Sequence, residues 1–324
     1  MTKKNPFVII KRAAMKIQTE VGLKKVIACM ERADPAEAQK ILENLFEDEF
    51  ECSELVFTAD CCNFWIPYIR QIDAMENAFE RGESLLADWK RFRSFLSRKA
   101  NVYTPAVEAI DRGIFLCALE NYRQLLDERD IVQKAEIYRK AGLCCKKLGK
   151  FEEAQEFLTA SNNAQPGIPS VLAELADCFA LCGHERNAKV LFREAFFIDP
   201  TKIDASFLDS ELIRVLFEKT AEKGYTGMTL LQWIPVYGVL YGVFNVRREL
   251  KLQEISKLKQ EIYAIETEMK DPSCDSVNLT PRLINLYFWL IDYYLASGDN
   301  SKPVNDTLLK IKILDSDVYE QYMK

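Results

Sequence analysis

Apolar residues recur at three- and four-residue intervals along most of the chain, and apolar–polar alternation never lasts more than a few residues. That spacing predicts amphipathic helices and an all-α fold. Asp34-Pro35 marks one helix start, a capping carboxylate followed by proline at the first helical position, and AEAQKILENLF continues it. Ser53 is expected to cap ELVFTADCCNFW, Pro67 to interrupt that run, and IRQIDAMENAF to follow. After Arg81-Gly82, ESLLADWKRFRSFL reads as a further helix, and Thr104-Pro105 opens the next. Residues 1–100 are read as one divergent helical region.

A repeat follows. AEIYRKAGLCCKKLGKFEEAQEFLTASNNAQP starts at Ala135, and PSVLAELADCFALCGHERNAKVLFREAFFIDP starts 34 residues later at Pro169. Gly142 meets Ala176, Gly149 meets Gly183, Ala154 meets Ala188, Leu158 meets Phe192, and Pro166 meets Pro200. These positions describe a helix–turn–helix unit. Small residues let two helices approach, the second glycine suits a left-handed cap, and proline stops the second helix. Gly113 to Leu126 (GIFLCALENYRQLL) reads as a weaker turn and second helix, with Gly113 in the place of Gly149. Helices around Gly298 carry Pro303 near a small-residue position and do not count as a copy.

Both copies resemble the tetratricopeptide repeat, with Cys145, Leu158 and Ser161 as mild departures from its signature. The resemblance implies an α–α superhelix of helix pairs: an array over 101–203, with clear repeats at 135–168 and 169–202, and a C-terminal helical region over 204–324. It also implies that the first helices line a concave face that grips a partner peptide. By helical spacing, that face would present Glu136, Arg139, Lys140, Leu143 and Lys147, then Ser170, Ala173, Glu174 and Asp177, with Tyr103 and Val107 from the weaker copy. Arg139 and Lys140 would take a carboxylate; an ordinary solvated helix face is the competing reading. One subtype of the family clamps chaperone C-termini with a Lys and an Asn one turn apart. Leu143, one turn after Arg139, breaks that pattern, so no chaperone binding is expected.

The run 224–246, GYTGMTLLQWIPVYGVLYGVFNV, has no charge. It can be a buried central helix, a membrane-embedded segment, or an apolar surface for a partner. Against a span stand Gln232, Asn245 and the turn-like start; a helix here is expected to begin near Gln232 or Trp233, with Pro235 in its first turns. In the buried reading, Gly238 and Gly242 share one face and admit a neighbouring helix. The stretch 247–270 places Ile255, Leu258, Ile262, Ile265 and Met269 at 3-4-3-4 spacing. That predicts either a capping helix laid on its neighbours or a short seam for self-association.

Composition narrows the function. Apolar residues (48%) suffice for a packed core, and twelve glycines and eleven prolines favour helix over a many-turned β fold. A net charge of −6 weighs against nucleic acid as a partner. The ten cysteines, with pairs at Cys61-Cys62 and Cys144-Cys145, make no disulfide framework, which points to reduced thiols and a cytoplasmic setting. Near the N-terminus, the four apolar residues FVII are too few for a secretory signal. Cys178, Cys182 and His184 lie close together but lack a paired H-x₃₋₅-H and a fourth ligand, so they read as repeat residues rather than a metal site. No GxxxxGK[ST], GxGxxG or GxSxG motif is present, and no catalytic residue or cofactor is assigned. The expected function is a non-enzymatic scaffold or adaptor for a protein partner. Alternatives are an adaptor tethered to a membrane by 224–246, and a helical enzyme or regulatory subunit.

Overall fold

A computed structural model describes residues 19–47, 52–298 and 302–324. The FVII segment lies outside them. The described residues form helices and no strand. The chain divides into two compact units, Met1–Ala164 and Gln165–Lys324, so each repeat copy falls mainly in its own unit.

Unit 1 holds α1 (19–30), α2 (Pro35–Phe46), α3 (Ser53–Asp73), α4 (Ala78–Leu96), α5 (Thr104–Arg123), α6 (Ile131–Lys147) and α7 (Phe151–Ala164). From α2 on, helices adjacent in sequence pack on one another, most extensively α6 on α7. Local chemistry sets the starts. Asp34 accepts from the Glu37 N–H, Asn77 from those of Phe79 and Glu80, and Asp130 from those of Val132 and Gln133. Each satisfies donors that the first helical turn leaves unpaired.

Unit 2 holds α8 (Pro169–Leu181), α9 (Glu185–Ile198), α10 (Glu211–Ala221), α11 (Gly227–Leu240), α12 (Leu252–Glu268), α13 (Ser276–Ser297), α14 (Lys302–Leu314) and α15 (Ser316–Tyr322). Here α8 packs on α9, while α13 carries α11, α12 and α14 against it.

The two copies close with the same turn. Lys150 N–H donates to the Cys145 carbonyl (2.9 Å) and Gly149 N–H to that of Lys146 (3.0 Å). One period on, His184 donates to Phe179 (2.8 Å) and Gly183 to Ala180 (3.0 Å). Gly149 and Gly183 have φ of 73° and 78°, the left-handed conformation that a Schellman cap requires. Within the first copy, a Cβ on Gly142 would lie 2.7 Å from Leu158 Cγ. The missing side chain therefore sets how closely α6 and α7 approach.

Several expected boundaries differ. Ser53 is the first residue of α3 rather than its cap, which is Cys52. The helix also continues through Pro67. Asn63, whose carbonyl loses its N–H partner to that proline, is exposed, so water can satisfy it. Helix α4 runs through Gly82, because the Tyr122 ring occupies the place of a side chain there. Gly113 is no turn: α5 is one helix from Thr104 to Arg123, and the weaker copy is not a helix–turn–helix unit. Its missing side chain admits backbone instead, since a Cβ would lie 2.2 Å from the Met30 carbonyl oxygen.

The charge-free run is not one helix. Helix α11 spans Gly227–Leu240, with Pro235 in its interior and Gln232 to Gly238 buried. No helix among the described residues is long and apolar enough to cross a membrane. Gly242 is outside α11, in a left-handed turn (φ 70°), so the two glycines do not form a shared helix face. The chain folds back there, and Phe244 N–H donates to the Gly238 carbonyl (2.8 Å). The Phe244 ring then covers Gly238, where a Cβ would come within 2.3 Å of it. Gly238→Leu is expected to destabilise the protein by about 2 kcal/mol through overpacking. An unchanged melting temperature would contradict that tight enclosure.

The seam on α12 is turned inward. Ile255, Leu258, Ile262 and Ile265 are buried and Met269 packs against the same core, as expected of a capping helix. The helix begins at Leu252, later than the pattern implied, because Arg247 and Arg248 belong to a segment without regular structure.

Candidate functional site

The residues expected to line an open face are mostly enclosed. In unit 1, the Arg139 guanidinium forks onto Glu136, with Nε at 2.8 Å and Nη2 at 2.5 Å. Lys140 Nζ donates to Glu83 (2.8 Å) and lies 3.8 Å from Glu136. Tyr122 hydroxyl also donates to Glu83 (2.7 Å). Burial alone would push the Glu136 carboxyl up, but the hydrogen bonds and charge of Arg139, helped by Lys140, outweigh it and hold it below the usual carboxylate range. The Arg139 and Lys140 side chains are only 12% and 11% exposed. A partner carboxylate would have to displace Glu136 or Glu83, so these cations do not form the open receptor expected from their spacing. Val107 and Leu143 are buried. Lys147 Nζ sits over the Trp89 ring at 5.1 Å, and half-buried Tyr103 is the residue just before α5.

In unit 2, Ala173, Glu174 and Asp177 are buried, and Ser170 is half-buried. The Asp177 carboxylate accepts from the backbone N–H groups of Asp209 (3.0 Å) and Ser210 (2.8 Å). It therefore fastens the start of α10 to α8. No local spacing could announce that bond, because the partners lie more than thirty residues away.

What opens to solvent in unit 1 lies beside the expected residues. A cleft of about 550 Å³ is bounded by Asn77 and Phe79 at the start of α4, Leu125 and Glu128 after α5, and Val132, Gln133, Glu136 and Ile137 on α6. Its walls are chiefly apolar. Ile131 and Val132 are 62% and 59% exposed, so apolar surface continues from the cleft onto the first turn of α6. The sequence carries a signal for this site: an Ile-Val pair directly after the Asp130 cap, outside the buried stripe of the helix. A second hollow, about 460 Å³, has mixed charge from Glu31, Glu108, Asp111, Arg112 and Lys147.

Unit 2 contains a charge cluster on an aromatic plate. Trp289 lies 4.2 Å, centroid to centroid, from Phe197. The guanidinium groups of Arg193 and Arg248 sit over its ring at 4.6 and 5.6 Å. Arg193 pairs with Asp292 and donates to the Val246 carbonyl (3.2 Å). Arg247 meets Asp292 at 2.8 Å, and Arg248 bridges Glu194 and Glu254, both at 2.7 Å. The hydrogen bond from Arg248 holds the Glu254 carboxyl down at about 2. These bonds tie the segment between α11 and α12 to α9 and α13.

Cys178 is buried in α8, Cys182 follows that helix, and His184 precedes α9. Among the described residues no cluster of three or more His, Cys, Asp or Glu is arranged to hold a metal ion. None of the ten cysteines is in a disulfide. Burial pushes the Cys61, Cys62 and Cys145 thiols up to about 12. In the unfolded chain a thiol ionises near about 8.5. Between those values the unfolded state binds fewer protons, so the stability from the protonated thiols is complete below about pH 8.5 and is lost as pH rises towards 12. The melting temperature is expected to fall between about pH 8 and about pH 10.5, and to fall less in Cys61→Ala/Cys62→Ala/Cys145→Ala. Parallel melting curves for the two proteins would refute it.

No protein-family model matches the chain, and comparison with curated proteins likewise finds no match.

Proposed function

We propose that the protein is a scaffold or adaptor that binds protein partners, built on tetratricopeptide-like hairpins. The observation that carries this reading is the pair of hairpins with one closing turn repeated at a 34-residue step, α6–α7 and α8–α9. A unit of this kind buries one face against its neighbours and leaves other helix faces for recognition. The finer reading, a superhelix of such units, rests on the sequence resemblance.

The test is affinity capture from the source organism on the full chain, followed by direct binding of each recovered protein in purified form. A partner that binds directly supports the scaffold. Recovery no greater than on an unrelated helical protein of similar charge would overturn it. Arg139→Glu/Lys140→Glu is unsuited to the purpose: it sets new carboxylates beside Glu83 and Glu136 and would disturb folding itself.

A further inference from the structure

We propose that the cleft between the starts of α4 and α6 receives a basic amphipathic segment of a partner protein. This rests on the scaffold reading and names the surface and the partner's chemistry. Three observations in unit 1 support it. The volume, about 550 Å³, suits one or two large apolar side chains. The walls supply Phe79, Leu125, Val132 and Ile137, and exposed Ile131 extends that surface beyond the mouth. The charge is one-sided. The only ionisable lining groups are Glu128 and Glu136. The two chain segments around these lining residues, 76–81 and 125–134, carry Glu76, Glu80, Asp127, Glu128 and Asp130 against Arg81, Arg129 and Lys134, a net acidic balance.

The network beneath adds no counter-charge. Glu83 and Glu136 balance Lys140 and Arg139, so the floor is close to neutral while the rim is acidic. An acidic segment would be repelled there, whereas Lys or Arg flanking an aromatic or leucine anchor would be attracted. Val132 has the best position for a probe: it lines the cleft yet is 59% exposed, so substitution leaves the core intact.

The experiment pans a random-sequence displayed peptide library on the purified full chain, then measures the leading peptide by fluorescence anisotropy. Enriched peptides are expected to combine Lys or Arg with Leu, Phe or Trp, and to weaken as salt is raised. Val132→Lys should weaken binding by about tenfold or more. Ile313→Lys, at an exposed apolar site on α14, should leave it unchanged. Enrichment of acidic peptides, an equal loss in both variants, no loss in Val132→Lys, or no enrichment overturns the cleft proposal. A directly binding partner that ignores Val132→Lys sinks the cleft and spares the scaffold. Failure to capture any partner sinks the scaffold.

Discussion

Asp292→Ala is expected to destabilise unit 2 by about 3–5 kcal/mol, the range for removing one member of a buried ion pair. Its partner, Arg193, is 4% exposed and lies against Trp289, and its Nε has no hydrogen-bond acceptor. Without Asp292, only the Val246 carbonyl would remain to this buried cation among the partners described above. Arg247, the other cation on Asp292, is 55% exposed and can turn to water. The measurement is amide hydrogen exchange across α13 under native conditions, which isolates unit 2 from the rest of the chain. A loss of protection below about 1 kcal/mol would mean that the cluster carries little. The double variant Arg193→Met/Asp292→Leu should recover most of the loss, because an apolar pair of similar volume removes the desolvation penalty along with the attraction.

Gly113→Leu should cost about 3 kcal/mol or more, at the upper end for overpacking. The atoms in its way are backbone: the Met30 carbonyl oxygen at 2.2 Å and the Ala33 nitrogen at 2.9 Å. They belong to the turn between α1 and α2, where Ala33 is already in a left-handed conformation (φ 56°) and has little room to shift. Gly142→Ala offers the contrast. Its nearest obstacle is Leu158 Cγ at 2.7 Å, and a leucine side chain can rotate. Thermal unfolding followed by circular dichroism should rank Gly113→Leu well below Gly142→Ala. The reverse order would show that the α1–α2 turn yields easily.

These two glycines show what can be read from residue order. Gly142 is legible because it recurs as a small residue one period later, at Ala176. Gly149 and Gly183 are legible for the same reason, and because a left-handed cap favours glycine. Gly113 sits in front of an equally plausible second helix, but its role comes from a turn eighty residues earlier in the chain. Pro67 and Gly82 mislead similarly: one faces water on an exposed helix flank, the other lies under Tyr122. At the candidate site, spacing finds Arg139 and Lys140 but gives no sign that Glu83, on α4, already holds Lys140. Ion pairs between distant helices leave no local periodicity, so charge that looks available in the sequence is internal in the fold.

Helix α11 also has a consequence for synthesis. Elements made earlier, α9, α10 and the turn at Pro200–Lys202, pack against part of it, and α13, which the ribosome makes later, completes the cover. For the seconds in between, the nascent chain carries an uncharged, strongly apolar stretch with one face uncovered. Chains that stop before α13 would keep that face exposed permanently. Premature termination between α11 and α13 should therefore give products that aggregate or are taken up by chaperones. Two features blunt that hazard before the cover arrives: the fold-back of Phe244 onto Gly238, and the arginines that follow at once.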